Sequence, residues 1–255
     1  MSASSAFTRD TADEIIVPHQ PAYLPWPGFF SRLLGLDRLL VLDHVQFSRG
    51  GWQQRNYLLT ATGRQRVTVP VIHNFGQPIS AARISGDQWR ARHWQTITAA
   101  YRRAPYFDQW SGPLEEIYGR TWEFLSELNV ALIRLLMRGF GIEAELVFSS
   151  QLQPQGQATA MLASLCELTG ASTLRLGMGA AGHGGYLDWD LISKAGISVQ
   201  VADFGFRPYP QAFPGFTSGL SALDLLLNCG PAARQILADC GTVVPVAAEK
   251  VTAPQ

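Results

Sequence analysis

A histidine at position 19 lies in the stretch VPHQPAYLPWPGFF, residues 17–30, between a β-branched run and a cluster of prolines and aromatics. Imidazole is the side chain best matched to accepting a proton near neutral pH. EIIVP, residues 14–18, reads as a short buried strand, which puts His19 just past its end. RLLVLD, residues 38–43, reads as a second strand ending at Asp43, with Gln46 close behind in LDHVQF. Ligands of open α/β sheets collect beyond the carboxyl ends of strands. If the two strands are neighbours, His19, Asp43 and Gln46 converge on one crevice, and Asp43 is placed to orient the imidazole. The prolines then stiffen the corner and preorganise it. Equally, proline-rich corners turn chains, and a lone histidine can be structural.

Further residues have types suited to chemistry. In WQQRN, residues 52–56, Trp52 suits stacking on a sugar or base, and Arg55 suits a bidentate grip on phosphate or carboxylate, with Asn56 beside it. The bland alternative is an aromatic edge packed on a sheet with Arg55 in water. Trp89, His93 and Ile97 recur at i, i+4 and i+8, so one helix face carries all three. That predicts a half-buried His93 packed on Trp89, or a general base; Tyr101 points near the same face. GMGAAGHGGYLD, residues 177–188, follows an expected strand and could offer backbone N–H groups to a phosphate. Its spacing fits neither the dinucleotide fingerprint nor a P-loop, and Lys194 comes too late. Tyr186 and Asp188 there suit structure or substrate contact. The five histidines, 19, 44, 73, 93 and 183, lack metal-ligand spacing, so no metal site is expected. The G-x-S-x-G elbow of hydrolases is missing. Three cysteines, 166, 229 and 240, show no C-x-x-C pair: Cys166 reads as a buried small hydrophobe, and Cys229 and Cys240 as unpaired thiols, with a catalytic role or a disulfide as the alternatives.

The elements that position these residues follow from periodicity. WPGFFSRLLGL reads as a helix opened by Pro27, so the chain begins strand, helix, strand, the start of a βαβ unit. Residues 56–71 alternate around Thr62-Gly63 as a hairpin. Helices are expected over 87–104, with Asp87 as N-cap, and over 121–141, ended by Gly139 and Gly141. AELVFSS, TLRLG and ISVQVADF read as strands, and ATAMLASLCELTG, DWDLISKAG, SALDLLLNCG and PAARQILADCG as helices. Asp224, three after Ser221, reads as a capping-box variant. The expected fold is α/β: a mostly parallel sheet flanked by helices, with a β-hairpin and a helical insertion near 87–141. Residues 1–13 read as a flexible leader, 14–241 as a single domain, and 242–255 as a loose tail. Twenty basic and twenty acidic residues give zero net charge, which argues against non-specific nucleic-acid binding. The longest apolar run, 129–140, is broken by Arg134 and Arg138, so no membrane span is expected. A cytoplasmic location fits the leader and the thiols.

HQPAYLPWPGFF, LDHVQFSRGGWQQRN, VTVPV, HWQTITAAYRRAPYF, GGYLDWDLISKAGISV, YPQAF and SALDLLLNCG, in this order, resemble the WbqC-like protein family over roughly residues 14–230. That family is associated with bacterial polysaccharide, O-antigen and natural-product gene clusters. The chain departs from it in two places: His44 follows Asp43 where relatives tend to have a second acid, and no serine precedes the glycine-rich turn. The resemblance implies a biosynthetic role on a small-molecule substrate. The expected chemistry is acyl or aminoacyl transfer to the amine of an amino-sugar nucleotide or natural-product intermediate, with an acyl carrier protein as a possible donor. His19 is the expected base, Asp43 its orienting acid and His93 a further catalytic candidate. Gln20, Tyr23, Gln46, Trp52, Arg55, Asn56, Tyr101 and Tyr186 are the expected substrate contacts, Arg55 or Asn56 steadying an oxyanion or phosphate. No cofactor is identified. Two alternatives stand beside this: an ATP-dependent nucleotidyl-transfer or ligase-type enzyme, although HQPAY lacks that class's second histidine, and a non-catalytic binder of a sugar nucleotide or partner, which seven tryptophans would suit.

Overall fold

Among the described residues eight strands build two sheets: β1 (Ile15–His19), β2 (Arg38–Val41), β3 (Arg55–Thr60), β4 (Gly63–Thr68), β5 (Glu145–Phe148), β6 (Thr173–Gly177), β7 (Ser198–Phe204) and β8 (Gly241–Val246). The computed structural model describes residues 14–72, 74–181 and 187–246. The larger sheet has the order β5-β2-β1-β6-β7-β8; β3 and β4 pair separately as an antiparallel hairpin. All pairings in the larger sheet are parallel except β7–β8. The chain therefore winds outward from β1 through β2 to β5, then returns and winds the other way from β6. The order reverses between β1 and β6, the place where doubly wound α/β sheets bind ligands.

The helices among the described residues are α1 (Pro27–Ser31), α2 (Gln88–Tyr101), α3 (Phe107–Gly119), α4 (Leu125–Gly139), α5 (Ser149–Leu152), α6 (Ala158–Thr169), α7 (Met178–Ala181), α8 (Trp189–Lys194), α9 (Ala222–Cys229) and α10 (Ala233–Cys240). The central strands are buried on both faces, as parallel strands must be. Val17, Leu39 and Val41 face one core with residues of α2, α3, α4, α9 and α10. Ile16, Leu40, Leu174 and Val199 face a second core with Leu162, Leu165 and Cys166 of α6 and Ile192 of α8. In α4, Leu125, Leu128, Leu132, Ile133 and Leu136 are all fully buried at three- and four-residue spacing, each burial contributing about 1.5–3 kcal/mol. α6 stops where Gly170 adopts φ 74°, a conformation that glycine enters without a steric cost.

Three expectations change. The helix expected over WPGFFSRLLGL lasts five residues, because after Ser31 the backbone continues in tighter turns such as Leu33 N–H to the Phe30 carbonyl. Asp87 stands at the N-cap of α2 but its carboxylate makes an ion pair with Arg90 at 3.0 Å and does not cap. The expected loose tail begins instead as β8, whose residues 241–246 pair with Phe204 back to Val199. The rest of the tail and the leader, residues 1–13, lie outside the described residues. All three cysteines are buried and unpaired, and burial pushes the Cys166 thiol up to about 12. Among the described residues no helix is long and apolar enough to cross a membrane.

Candidate functional site

His19 ends β1, opposite Val41 of β2, beside the point where the strand order reverses. Its ring meets Phe29 of α1 edge-on, centroids 4.6 Å apart. Nδ1 lies 2.7 Å from the Gln20 carbonyl, which can only accept, so Nδ1 carries the proton. That leaves the Nε2 lone pair without a hydrogen bond among the described residues. Desolvation, and then the Arg32 charge, hold the His19 pKa down at about 4. At neutral pH it is therefore an uncharged imidazole with a free acceptor nitrogen.

Arg32 is the residue that sequence reasoning missed. It follows α1, donates Nε–H to the Gly28 carbonyl at 3.1 Å, and lays its guanidinium against Gly177 at the end of β6. A β-carbon on Gly177 would stand 2.9 Å from one terminal nitrogen and 3.1 Å from the other. Thus the glycine opening the GMGAAG segment makes the notch in which Arg32 sits. Desolvation lowers the Arg32 pKa, yet among the described residues no carboxylate pairs with it. Arg175 of β6 braces it by donating to its carbonyl at 3.1 Å.

Asp43 does not orient His19. Its Oδ1 accepts from Ser149 Oγ at 3.1 Å and from Ser150 N–H at 2.9 Å, and its Oδ2 from Ser150 Oγ at 2.6 Å. A buried carboxylate turns to its donors. Here they stand where β5 runs into α5, on the side of β2 away from β1. His44 joins the same group, its Nδ1 2.5 Å from Ser149 Oγ. Ser149 is fully buried and ties β2 to β5, while Ser150, whose hydroxyl bonds the other carboxylate oxygen, is exposed.

The loop between β1 and α1 is clamped by amides. Asn129 of α4 donates to the carbonyls of Pro21 (3.0 Å) and Gln53 (2.7 Å). Asn56 of β3 donates to Leu24 O at 2.5 Å, fixing a residue with φ 45°. Gln53 donates to Gln20 Oε1 at 2.7 Å. Asn56 is thus spent on backbone, and Gln20 is the exposed member beside His19. Tyr23 points inward, its hydroxyl 2.8 Å from His93 Nδ1 and 2.7 Å from the Tyr118 hydroxyl. His93 is 7% exposed and packs on Trp89 at 5.3 Å as its spacing predicts. The Thr68 carbonyl bonds the ring as well, and desolvation lowers its pKa to about 4. With Tyr23 and Thr68 both bonded to it, the His93 ring is held as part of the core. Tyr101 is fully buried, its hydroxyl accepting Leu59 N–H at 3.1 Å.

Trp52 and Arg55 lie at the surface end of this clamp: the Trp52 carbonyl accepts Tyr23 N–H at 3.0 Å. Gln46 is exposed, and its backbone bridges to Pro78. Asp188 caps α8 by accepting Leu191 N–H. Ser221 caps α9, but Asp224 does not complete a capping box; it is buried and accepts from Tyr209 and Gln211, each at 2.8 Å. Tyr186 lies outside the described residues. Among the described residues no group of side chains could hold a metal ion. A groove of about 880 Å³ runs between the hairpin tip and α2, lined by Arg92, Arg102 and Arg103, and contains none of the expected site residues.

Residues 20–236 match the WbqC-like protein family. A Mycobacterium tuberculosis protein named "Uncharacterized protein Rv1507c" is 32% identical over 225 residues, covering 87% of this chain and 96% of its own. No solved structure gives a significant match. A family match of this span, over a doubly wound sheet with the HQPAYLPWPGFF corner at its switch point, means that the chain belongs to the WbqC-like protein family.

Proposed function

We propose that this protein is a ligase-type enzyme joining an acyl group to an amine through a phosphate-activated intermediate, with ATP at the β1–β6 switch point. One observation carries the reading: Arg32, a guanidinium with no ion pair among the described residues, and His19, a neutral imidazole whose Nε2 has no hydrogen bond among them, stand together where the strand order reverses. In the first half, a substrate carboxylate oxygen attacks the α-phosphorus; a new O–P bond forms and the bond to pyrophosphate breaks. In the second, the amine nitrogen attacks the acyl carbon. A C–N bond forms, the C–O bond to AMP breaks with its electron pair on the phosphate, and the amine proton passes to His19 Nε2. Arg32 balances phosphate charge in both halves. The bound anion also offsets the Arg32 charge that depresses the His19 pKa, so the imidazole becomes a better base once the nucleotide is seated.

The rival route, direct transfer from an acyl carrier thioester, would use His19 in the same way; Arg32 beside it favours a donor that carries a phosphate anion at the reacting carbon. A panel of carboxylates and amines, assayed for pyrophosphate release and amide product, tests the proposal. ATP is expected to raise the melting temperature of the wild type and not of Arg32→Met. His19→Gln is expected to slow amide formation about 100-fold or more. Amide formed from a carrier thioester without ATP, or no ATP binding at all, would overturn it; tight ligand binding without turnover would leave the non-catalytic reading in its place.

A further inference from the structure

One face of the β3–β4 hairpin carries cations that the fold leaves uncompensated. Cross-strand register puts Arg55 and Tyr57 on the same side as Arg66 and Thr68. Trp52 precedes β3 and is 56% exposed, its ring centroid 6.2 Å from that of Tyr57. The Arg55 guanidinium lies 5.9 Å from the Trp52 ring and the Arg64 guanidinium 4.4 Å from Tyr57. Among the described residues none of Arg55, Arg64 and Arg66 makes an ion pair. Arg55 Nε is buried with no acceptor at all. A buried donor left unpaired on a charged group costs stability, and such a group is expected to have a use.

The imbalance is local to this region of the chain. Residues 44–113 contain nine arginines and two acids, Asp87 and Asp108, in a protein of zero net charge. The hairpin face also adjoins the switch-point rim. Gln53, next to Trp52, holds the side chain of Gln20, next to His19, and Tyr23 N–H bonds the Trp52 carbonyl.

The geometry points to a second subsite, in which Trp52, Arg55 and Arg66 hold the amine-bearing acceptor, an anionic sugar. This rests on the ligase reading above for which substrate it holds, not for its existence. An exposed indole offers a flat apolar face to a sugar or base ring. A planar guanidinium beside it grips phosphate or carboxylate with two parallel hydrogen bonds, which a lysine cannot reproduce. Together they select a ring with an anion attached, and the amine of that molecule then lies toward Gln20 and His19.

Isothermal titration calorimetry with glucosamine 1-phosphate, UDP-glucosamine and UDP tests this, with ATP titrated separately. The wild type is expected to bind at least one probe, and Trp52→Ala and Arg55→Met to weaken it about 10-fold or more, Arg55→Lys falling between. Binding of UDP alone places the base on Trp52; binding of glucosamine 1-phosphate without UDP binding places the sugar there. Arg55→Met should melt at or above the wild-type temperature, because it removes an unsatisfied donor, so lost binding is not lost folding. ATP affinity should be unchanged in both variants. The inference falls if no probe binds a wild type that binds ATP, or if the variants bind the probes as the wild type does. It falls too if ATP affinity drops with probe affinity, since the nucleotide itself would then occupy the hairpin face. Probe binding through Trp52 and Arg55 in a protein that fails to bind ATP keeps the subsite and removes the ligase reading.

Discussion

Acid should loosen this fold through its buried histidines, and His93 lets the size of the effect be worked out. Desolvation holds its imidazole at about 4, against 6.5 in the unfolded chain. A folded-state pKa below the unfolded one means that the unfolded chain binds more protons between those values. Stability therefore falls as pH drops from 6.5 toward 4, and the group has no effect above that window. With these values one such histidine costs about 2 kcal/mol between pH 7 and pH 5. His19, also held at about 4, acts in the same direction. Urea unfolding of wild type and His93→Gln at both pH values isolates the His93 share. Glutamine keeps an acceptor for the Tyr23 hydroxyl and does not titrate. The variant should start less stable at pH 7 by about 1–2 kcal/mol, from a lost ring and imperfect packing. Its further loss on going to pH 5 should be smaller than that of the wild type by about 2 kcal/mol. The comparison matters because burial raises the Asp224 pKa, which acts with the opposite sign, and that contribution cancels between the two proteins. Equal acid losses, at equal m-values, would refute a desolvated neutral His93.

Gly177→Ala puts a β-carbon 2.9 Å from the Arg32 guanidinium, the movable end of a side chain, so the arginine shifts and the strand stays. Chemical denaturation should change by no more than about 0.5 kcal/mol while ATP affinity falls about 10-fold; unchanged affinity would remove Arg32 from the phosphate site. Asn129→Leu strips the Pro21 and Gln53 carbonyls of their donor and should cost about 2–4 kcal/mol in urea unfolding, with a neutral result refuting the amide clamp. ATP affinity should increase as pH falls below neutrality toward 4, because an anion on Arg32 raises the His19 pKa and binding then takes up a proton; calorimetry in buffers of different ionisation enthalpy reads that uptake directly.

What the sequence disclosed was local. The β-branched run before His19, the prolines after it and the glycine after α6 each act within a few residues, and the strands, the hairpin and most helices follow from them. The Trp89–His93–Ile97 face was readable for the same reason, since helix geometry alone brings those rings together. The place of Asp43 is not legible because its donors, Ser149 and Ser150, are 106 and 107 residues away, and no short-range rule brings β5 to the far side of β2. Asn56 looked like a ligand contact because its carbonyl partners belong to a loop 32 and 33 residues earlier. Arg32 is not legible because the apolar spacing of FFSRLLGL suggests an unbroken helix, which would carry that side chain off as one more surface charge. The early end of α1 is what turns it back over β6.

Asn129 has a consequence for how the molecule can change. One carboxamide, projecting from a helix of the insertion, spans the gap between the corner that bears His19 and the strip that bears Trp52. It acts as a ruler: the spacing between those two segments is set by the reach of its two hydrogen bonds. The helical insertion is therefore no removable ornament on the parallel sheet, and lengthening or reshaping it would shift one of these segments against the other.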